Sequence, residues 1–322
     1  MVIVDFTREH ISKARELALA CYEEECSKVP SLPDAGPFPD LTYFADNGLG
    51  VAALKNGEMA GFLCSTMPFD HAFRSTDVKG VFSPMGANGA IPENRAKIYA
   101  AMYQEAARKW VSSGAVSHGI CLYAHDEIAQ QQFFKYGFGL RCVDSIRPME
   151  PFHCVSCEEY KFSELTSSEY PLAYSLEIML YRHYISSPFF MNRKPETCET
   201  FCETCVRDHD RCFVAQYEDK ICAYLKISES GETFITEKPD YLHITGAFCL
   251  EEHRGKGVYQ NLLNHVIKLL KAEGYTHLGV DFESINPTAY GFWSKYFAEY
   301  THGLVRRIDE RILSEVPYRN FM

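Results

Sequence analysis

The chain has 322 residues, enough for one large domain or two ordinary ones. Apolar residues make up 46 % and charged residues 23 %, the balance of a globular protein with a core. A net charge of −11 argues against a nucleic-acid partner, which wants a basic stripe, and suits a cationic substrate such as an amine. With no signal-peptide pattern at the N-terminus and no apolar stretch of membrane-spanning length, a cytoplasmic protein without a membrane partner is expected.

The first half opens with a predicted strand at residues 2–6 and a helix at 10–26, with Ile11, Ala14, Leu17, Ala18 and Cys21 on one face. The proline-rich stretch 30–39 reads as a loop. Residues 49–54 and 59–65 flank Asn56-Gly57, the pair that a tight hairpin turn prefers. A strand at 78–83, a helix at 93–112, a strand at 119–123, a helix at 127–136 and a strand at 141–146 follow.

The second half predicts the same order. A strand at 160–165 and a helix at 167–184 lead through a polar, cysteine-rich stretch to a second hairpin, 212–217 and 221–228, turning at Glu218-Asp219-Lys220. The strand 241–250 precedes a helix at 257–273 with Leu262, Leu263, Val266, Ile267 and Leu270 inward; Gly274 ends it. A strand at 277–282, a helix at 287–296 and a strand at 303–308 close the chain. Matching elements recur at an offset of roughly 160 residues, which suggests duplication of a whole domain. Residues 129–138 parallel 289–297, both with a Phe or Trp ahead of Lys-Tyr. Pro148 and Pro151 bracket a linker, so domains at 1–150 and 151–322 are expected.

Between the apolar strand and the amphipathic helix of the second half lies Arg254-Gly255-Lys256-Gly257-Val258. A strand, a glycine-rich basic turn and a helix N-terminus form an anion cradle, because the first N–H groups of a helix have no intrahelical partner and point along the positive end of its dipole. The run resembles the pyrophosphate loop of the GNAT acetyltransferases, Arg/Gln-x-x-Gly-x-Gly/Ala, with Tyr259 in place of the last small residue. Asn286-Pro287-Thr288-Ala289 resembles the Asn-x-x-Ala that the family sets beside the pantetheine arm; an Asn helix cap explains it equally. The resemblance spans nearly the full length. It implies an α/β (α+β) fold of two GNAT-type domains in tandem, as in the mycothiol-synthase layout, each a mixed, mostly antiparallel sheet flanked by helices.

The resemblance further implies acetyl-CoA as co-substrate. Phe248, Cys249 and Leu250 would support the thioester, and Arg254, Gly255, Lys256, Gly257, Val258, Tyr259 and Asn286 would hold the cofactor. The first half lacks the motif, and Glu93 at its helix start would repel pyrophosphate, so that half is expected to be degenerate. Trp293 stands where the family has the Tyr that protonates the departing thiolate, and Tyr290, one turn away, is a substitute if an acid is needed at all. His243, and Glu251 at the strand's end, are candidate bases. The expected activity is transfer of acetyl to an unidentified primary amine; the alternative is a non-catalytic acyl-CoA-binding or sensor protein.

Thirteen cysteines without a secretory signal make a disulfide framework unexpected. Cys154-Val155-Ser156-Cys157 has the spacing of a metal half-site, and Cys198, Cys202, Cys205 and Cys212 cluster with His153 and His209 within reach in sequence. No second two-residue pair completes the pattern, so no metal is expected and the cysteines read as small apolar residues.

Overall fold

Asn56 and Gly57 sit at φ 53° and 85°, the two left-handed positions of a tight hairpin turn. They join strands β2 and β3 below in the register Lys55↔Glu58. The structure is a computed structural model that describes residues 1–34, 39–74, 76–231 and 233–315; the expected proline-rich loop lies partly outside them. In chain order the elements are β1 (Val2–Asp5), α1 (Ile11–Cys26), α2 (Thr42–Asp46), β2 (Val51–Lys55), β3 (Glu58–Leu63), β4 (Gly80–Ser83), β5 (Asn88–Ala90), α3 (Arg95–Ser112), β6 (Ser117–Tyr123), α4 (Glu127–Lys135) and β7 (Gly139–Pro148). There follow β8 (Tyr160–Glu164), α5 (Pro171–Ile185), α6 (Cys198–Arg207), β9 (Arg211–Tyr217), β10 (Lys220–Ser228), β11 (Tyr241–Cys249), α7 (Val258–Ala272), β12 (His277–Glu283), α8 (Pro287–Trp293) and β13 (Ala298–Arg307).

Contacts divide the chain into two units, residues 1–143 with 299–322 and residues 144–298. This division departs in two ways from the one expected at 150 and 151: it falls inside β7, and the chain's last strand belongs to the first unit. In that unit β1, β2, β3 and β5 form an antiparallel sheet. β4 pairs parallel with β6, and β13 pairs antiparallel with β6 from Thr301↔Tyr123 to Arg307↔Ser117. Leu304 of β13 is fully buried beside Trp110 of α3, Ile120 of β6 and Phe133 of α4. The strand therefore completes this core.

In the second unit β8, β9, β10 and β11 run antiparallel, and β12 joins β11 in parallel. The second hairpin turns at Glu218 and Asp219, φ 46° and 60°. α5 and α6 pack through Tyr170, Ala173, Leu176, Phe201 and Cys205 on Val214 of β9 and Tyr224 of β10. α7 lies on β8, β9 and β10. Its Leu262, Leu263, Val266, Ile267 and Leu270 are fully buried, as its 3.6-residue period requires. The repeat extends to detail: Asp126 and Asn286, roughly 160 residues apart, each accept a hydrogen bond from the backbone N–H three residues on, at 3.0 and 3.1 Å, and so cap α4 and α8. α2 and β5 were not expected as elements; β5 has three residues and α2 five, too short for a periodic signal. α6 carries Cys198, Cys202 and Cys205, whose spacing along the chain is helical. Among the described residues no helix is long and apolar enough to cross a membrane.

Leu304→Ala is expected to destabilise the first unit by about 2–5 kcal/mol through lost burial and a residual cavity. Urea unfolding reads the loss, and hydrogen exchange should locate it in β4 and β6. Faster exchange in β8, β9 and β10 instead would assign the strand to the second unit.

Candidate functional site

The second unit's site begins where β11 leaves β12. Their parallel pairing runs from Tyr241↔His277 to Ile244↔Val280 and stops, while the antiparallel pairing with β10 continues to Ala223↔Cys249. A register shift between Lys226 and Ile227 marks the same level, where β11 has an extra residue, Thr245, and bends. Beyond it a cavity of about 440 Å³ opens, with Ala247, Phe248 and Cys249 of β11 on one wall and Asn286, Ala289 and Trp293 at α8 on another.

The floor is the turn into α7. Gly255 and Gly257 lie at φ 72° and 78°, where a side chain would be strained, and Gly257 is the residue before the first helical turn. The first bond of that turn is Asn261 N–H donating to the Gly257 carbonyl at 3.0 Å. The N–H groups just ahead of it are the orphan donors of the helix start, at the positive end of a 15-residue dipole. Gly255, Gly257, Val258 and Gln260 border the cavity. Arg254 folds back: its Nε donates to the Cys249 carbonyl at 2.9 Å and its guanidinium covers the Phe248 ring at 5.3 Å. It staples the strand's end to the turn while its remaining N–H groups stay at the cavity.

The turn is braced from below by residues 154–157. The Cys157 thiol donates to the Lys256 carbonyl at 3.2 Å. The Asn261 side-chain N–H donates to Cys157 Sγ at 3.2 Å, to the Val155 carbonyl at 2.7 Å and to the Gly257 carbonyl at 2.9 Å. Cys154 Sγ donates to Asn261 Oδ1 at 3.5 Å, and Asn264 donates to Cys154 Sγ at the same distance. Among the described residues no group of three or more His, Cys, Asp or Glu is arranged to hold a metal ion.

Eight of the residues singled out for the cofactor border this cavity: Phe248, Cys249, Arg254, Gly255, Gly257, Val258, Tyr259 and Asn286. Leu250 instead packs on the core under α5, and its N–H donates to the Cys222 carbonyl at 2.9 Å. The Lys256 side chain is exposed outside the lining. None of the three residues singled out for catalysis lies in the lining. His243 is buried at the far end of β11, opposite Gly279 in register and 3.0 Å from Asp281 Oδ1. Glu251 sits on an exposed turn. Tyr290 packs edge-on against Phe282 instead of facing the cavity.

Other side chains supply chemistry. Tyr259 crosses the cavity wall, and its hydroxyl donates to the Tyr224 carbonyl at 3.1 Å, opposite Phe248 in the β10–β11 register. Its ring stands edge-on to Phe292 and Trp293, and burial holds its phenol well above the usual range, so it stays protonated. His183 of α5 borders the cavity edge-on to Phe248. Burial pushes the Cys249 thiol up to about 12, so it is no thiolate nucleophile at neutral pH. Tyr259 was singled out for holding the cofactor and not for proton transfer; His183 carries no motif, and nothing in its neighbourhood along the chain marks it.

Residues 178–298 match the family described as Acetyltransferase (GNAT) family. No curated protein matches the sequence. Among solved structures, a GCN5-related N-acetyltransferase from Sphaerobacter thermophilus is similar over 95 % of each chain, at 13 % identity and a TM-score of 0.57. A glucosamine N-acetyltransferase region of a fungal multi-domain GH3 β-N-acetylglucosaminidase is similar over 94 % of this chain and 38 % of that one, at 13 % identity and a TM-score of 0.51. At such identities the likeness is one of fold.

Asn286 Oδ1 accepts from the Ala289 N–H at 3.1 Å and from the Thr288 hydroxyl at 2.7 Å. Asn286→Ala should cost about 1 kcal/mol of stability, read by chemical denaturation, and Asn286→Asp should restore it because a carboxylate caps as well. If Asp fails to restore stability, the cap is not what the side chain contributes.

Proposed function

We propose that this chain, whose residues 178–298 match the GNAT acetyltransferase family, transfers an acyl group, acetyl in the first instance, from acyl-CoA to a primary amine. The observation that carries the proposal is the cavity at the parting of β11 and β12, floored by a helix N-terminus entered through two glycines at positive φ. Pyrophosphate is the ligand such a floor suits: backbone donors converge on it, the dipole favours its charge, and no side chain at Gly255 or Gly257 obstructs it. The edge of β11 at residues 247–249, which β12 no longer pairs, offers peptide groups to the peptide-like pantetheine arm and polarises the thioester carbonyl. The Asn286 side-chain N–H₂, its oxygen being engaged at the cap, is left to meet the same arm.

Proton movement falls to groups on the cavity wall. His183, beside Phe248, accepts the proton of the attacking ammonium, as an imidazole on the cavity wall can. Tyr259, whose hydroxyl rests on the Tyr224 carbonyl opposite Phe248, turns from that bond to donate to the departing thiolate, the role for which Tyr290 is misplaced and Trp293 chemically unfit. Among the described residues the first unit has no counterpart of the two-glycine turn; α3 is entered through Asn94 at φ 61°. The first residue of that helix, Arg95, is buried and pairs with Glu24 at 2.8 Å and Asp126 at 3.3 Å, setting its own charges in that region. That unit is proposed to bind no acyl-CoA.

Thiol release from acetyl-CoA across a panel of amines tests the activity, and calorimetry should give one CoA site per chain. CoA binding with no transfer to any amine would favour a non-catalytic acyl-CoA sensor. Gly257→Pro removes a donor and restricts the backbone, so it should weaken CoA more than Lys256→Ala, whose lost contact is worth on the order of 1.5–3 kcal/mol at most. The reverse order would mean that charge, not the backbone, holds the phosphates. Tyr259→Phe should lower kcat by about 10²–10⁴ with CoA affinity kept, and Tyr290→Phe should leave kcat unchanged. The opposite pairing of effects returns the acid to Tyr290.

A further inference from the structure

The cysteine pair 154/157 enters no step of the transfer reaction, yet the Cys157 thiol touches the turn that floors the cavity and the Cys154 thiol touches Asn261, which braces that turn. All thirteen cysteines are free. Cys154 is partly exposed and Cys157 lies beneath it, 8 % exposed. Each sulfur bonds to the side chain of Asn261, at 3.5 and 3.2 Å, so one amide group spans the two. Cys157 also holds the loop directly, through its S–H to the Lys256 carbonyl at 3.2 Å.

That carbonyl belongs to the peptide group whose N–H is Gly257's. A peptide group is planar, with carbonyl and N–H pointing opposite ways. Fixing the Lys256 oxygen on a donor beneath the loop therefore aims the Gly257 N–H away from it, toward the ligand side. Gly257 has no side chain to hold its conformation, and a β-carbon there would stand 3.3 Å from Cys157 Sγ. The thiol is thus packed against the residue whose N–H it orients.

We propose that Cys154 and Cys157 are a site of reversible oxidation by low-molecular-weight disulfides, and that the reduced pair is the form that binds the phosphates of acyl-CoA. The inference rests on the phosphate-cradle reading of the turn. In the reaction the thiolate of Cys154 attacks the disulfide RSSR, forming a mixed disulfide and expelling RS⁻. The thiolate of Cys157 then attacks the Cys154 sulfur, and a second RS⁻ leaves. The two protein protons end on the two RSH products; the protein loses two electrons and RSSR gains them. Cys154 is the entry point by exposure. Burial raises the Cys157 thiol, which suits it to remain the hydrogen-bond donor until the mixed disulfide is presented to it.

A three-residue separation lets the two sulfurs meet once the bonds through Asn261 are given up. Oxidation removes the hydrogen that Cys157 donates to Lys256 and draws its sulfur toward Cys154. The Lys256 carbonyl loses its anchor, and the Gly257 N–H loses its aim. The coupling is reciprocal: acyl-CoA on the turn must protect the pair from oxidation by the same factor by which oxidation weakens acyl-CoA.

The test uses the full chain, with oxidised glutathione as oxidant and CoA as ligand. Trypsin leaves the Arg147–Pro148 bond intact, so peptide mapping should show residues 142–161 lighter by the mass of two hydrogens, with fragmentation placing the bond between Cys154 and Cys157 and leaving Cys142 a thiol. Calorimetry should then show CoA bound on the order of tenfold more weakly, the cost of one lost charge-free hydrogen bond, and dithiothreitol should restore it. In Cys154→Ser the affinities before and after oxidant should agree. Saturating CoA should raise the reduction potential of the pair by about 30 mV, the equivalent of tenfold for two electrons. Failure of the pair to oxidise, a disulfide with unaltered CoA affinity, or an equal loss in Cys154→Ser overturns the switch and leaves the cradle standing. Absence of CoA binding to the reduced protein overturns the cradle itself.

Discussion

The parting of β11 from β12 is the constraint on which the second unit's site depends. Each strand residue carries a donor and an acceptor that must find partners. Up to Ile244 those groups are shared with Val280 and its neighbours; beyond it β11 keeps β10 and gives up β12. An edge left open inside a sheet is costly unless a polar ligand completes it. The bend at Thr245 creates that edge at the same level as the helix start of α7. Two sets of unfulfilled backbone groups, a strand edge and a helix N-terminus, therefore border one cavity. The arrangement needs few charged side chains, which agrees with Arg254 acting mainly as a staple between the strand's end and the turn.

A loop made of glycine needs support from outside. Gly255 and Gly257 give the backbone its left-handed turns but contribute nothing to hold it there. The support comes from Asn261 one turn into α7 and from residues 154–157, ahead of the unit's first strand. The thiols act as short donors and acceptors there. This gives the cysteine pair a physical role that neither metal binding nor simple packing describes.

The two units share their local devices and differ in how they spend them. Both set an Asx cap at the helix after the central strand, Asp126 in one and Asn286 in the other. In the first unit Asp126 is a charged, buried group whose carboxyl is raised by burial, and Arg95 is drawn in to neutralise it. A guanidinium there puts an ion pair beside a cavity of about 200 Å³. In the second unit Asn286 is neutral and asks for no counter-ion, and the cavity it borders is about 440 Å³.

Much of the architecture was legible along the chain. Asn56-Gly57 set the first hairpin because few other residues accept two left-handed positions in succession. The stripe of leucines and isoleucines on α7 set its buried face, and the glycine-rich basic run set the left-handed turn into that helix, because both are local properties of backbone and spacing. What the chain could not declare were relations between distant residues. That β13 belongs with β6 follows from the fit of Leu304 into a core built mostly by residues before 140. His243 read as a base because imidazole suits the task, but β11 is nine residues long and the histidine is at the wrong end of it. Tyr290 read as an acid by its distance along α8; the direction of its side chain, toward Phe282, is a matter of packing. Tyr259 and His183 come to the same wall from helices far apart in the chain, and Cys157 comes to the turn from a hundred residues upstream. Sequence determined which backbone conformations and apolar faces were available, since these depend on neighbours within a few residues. Tertiary structure alone decided which side chains meet, since that depends on packing between segments whose separation along the chain says nothing about their distance in space.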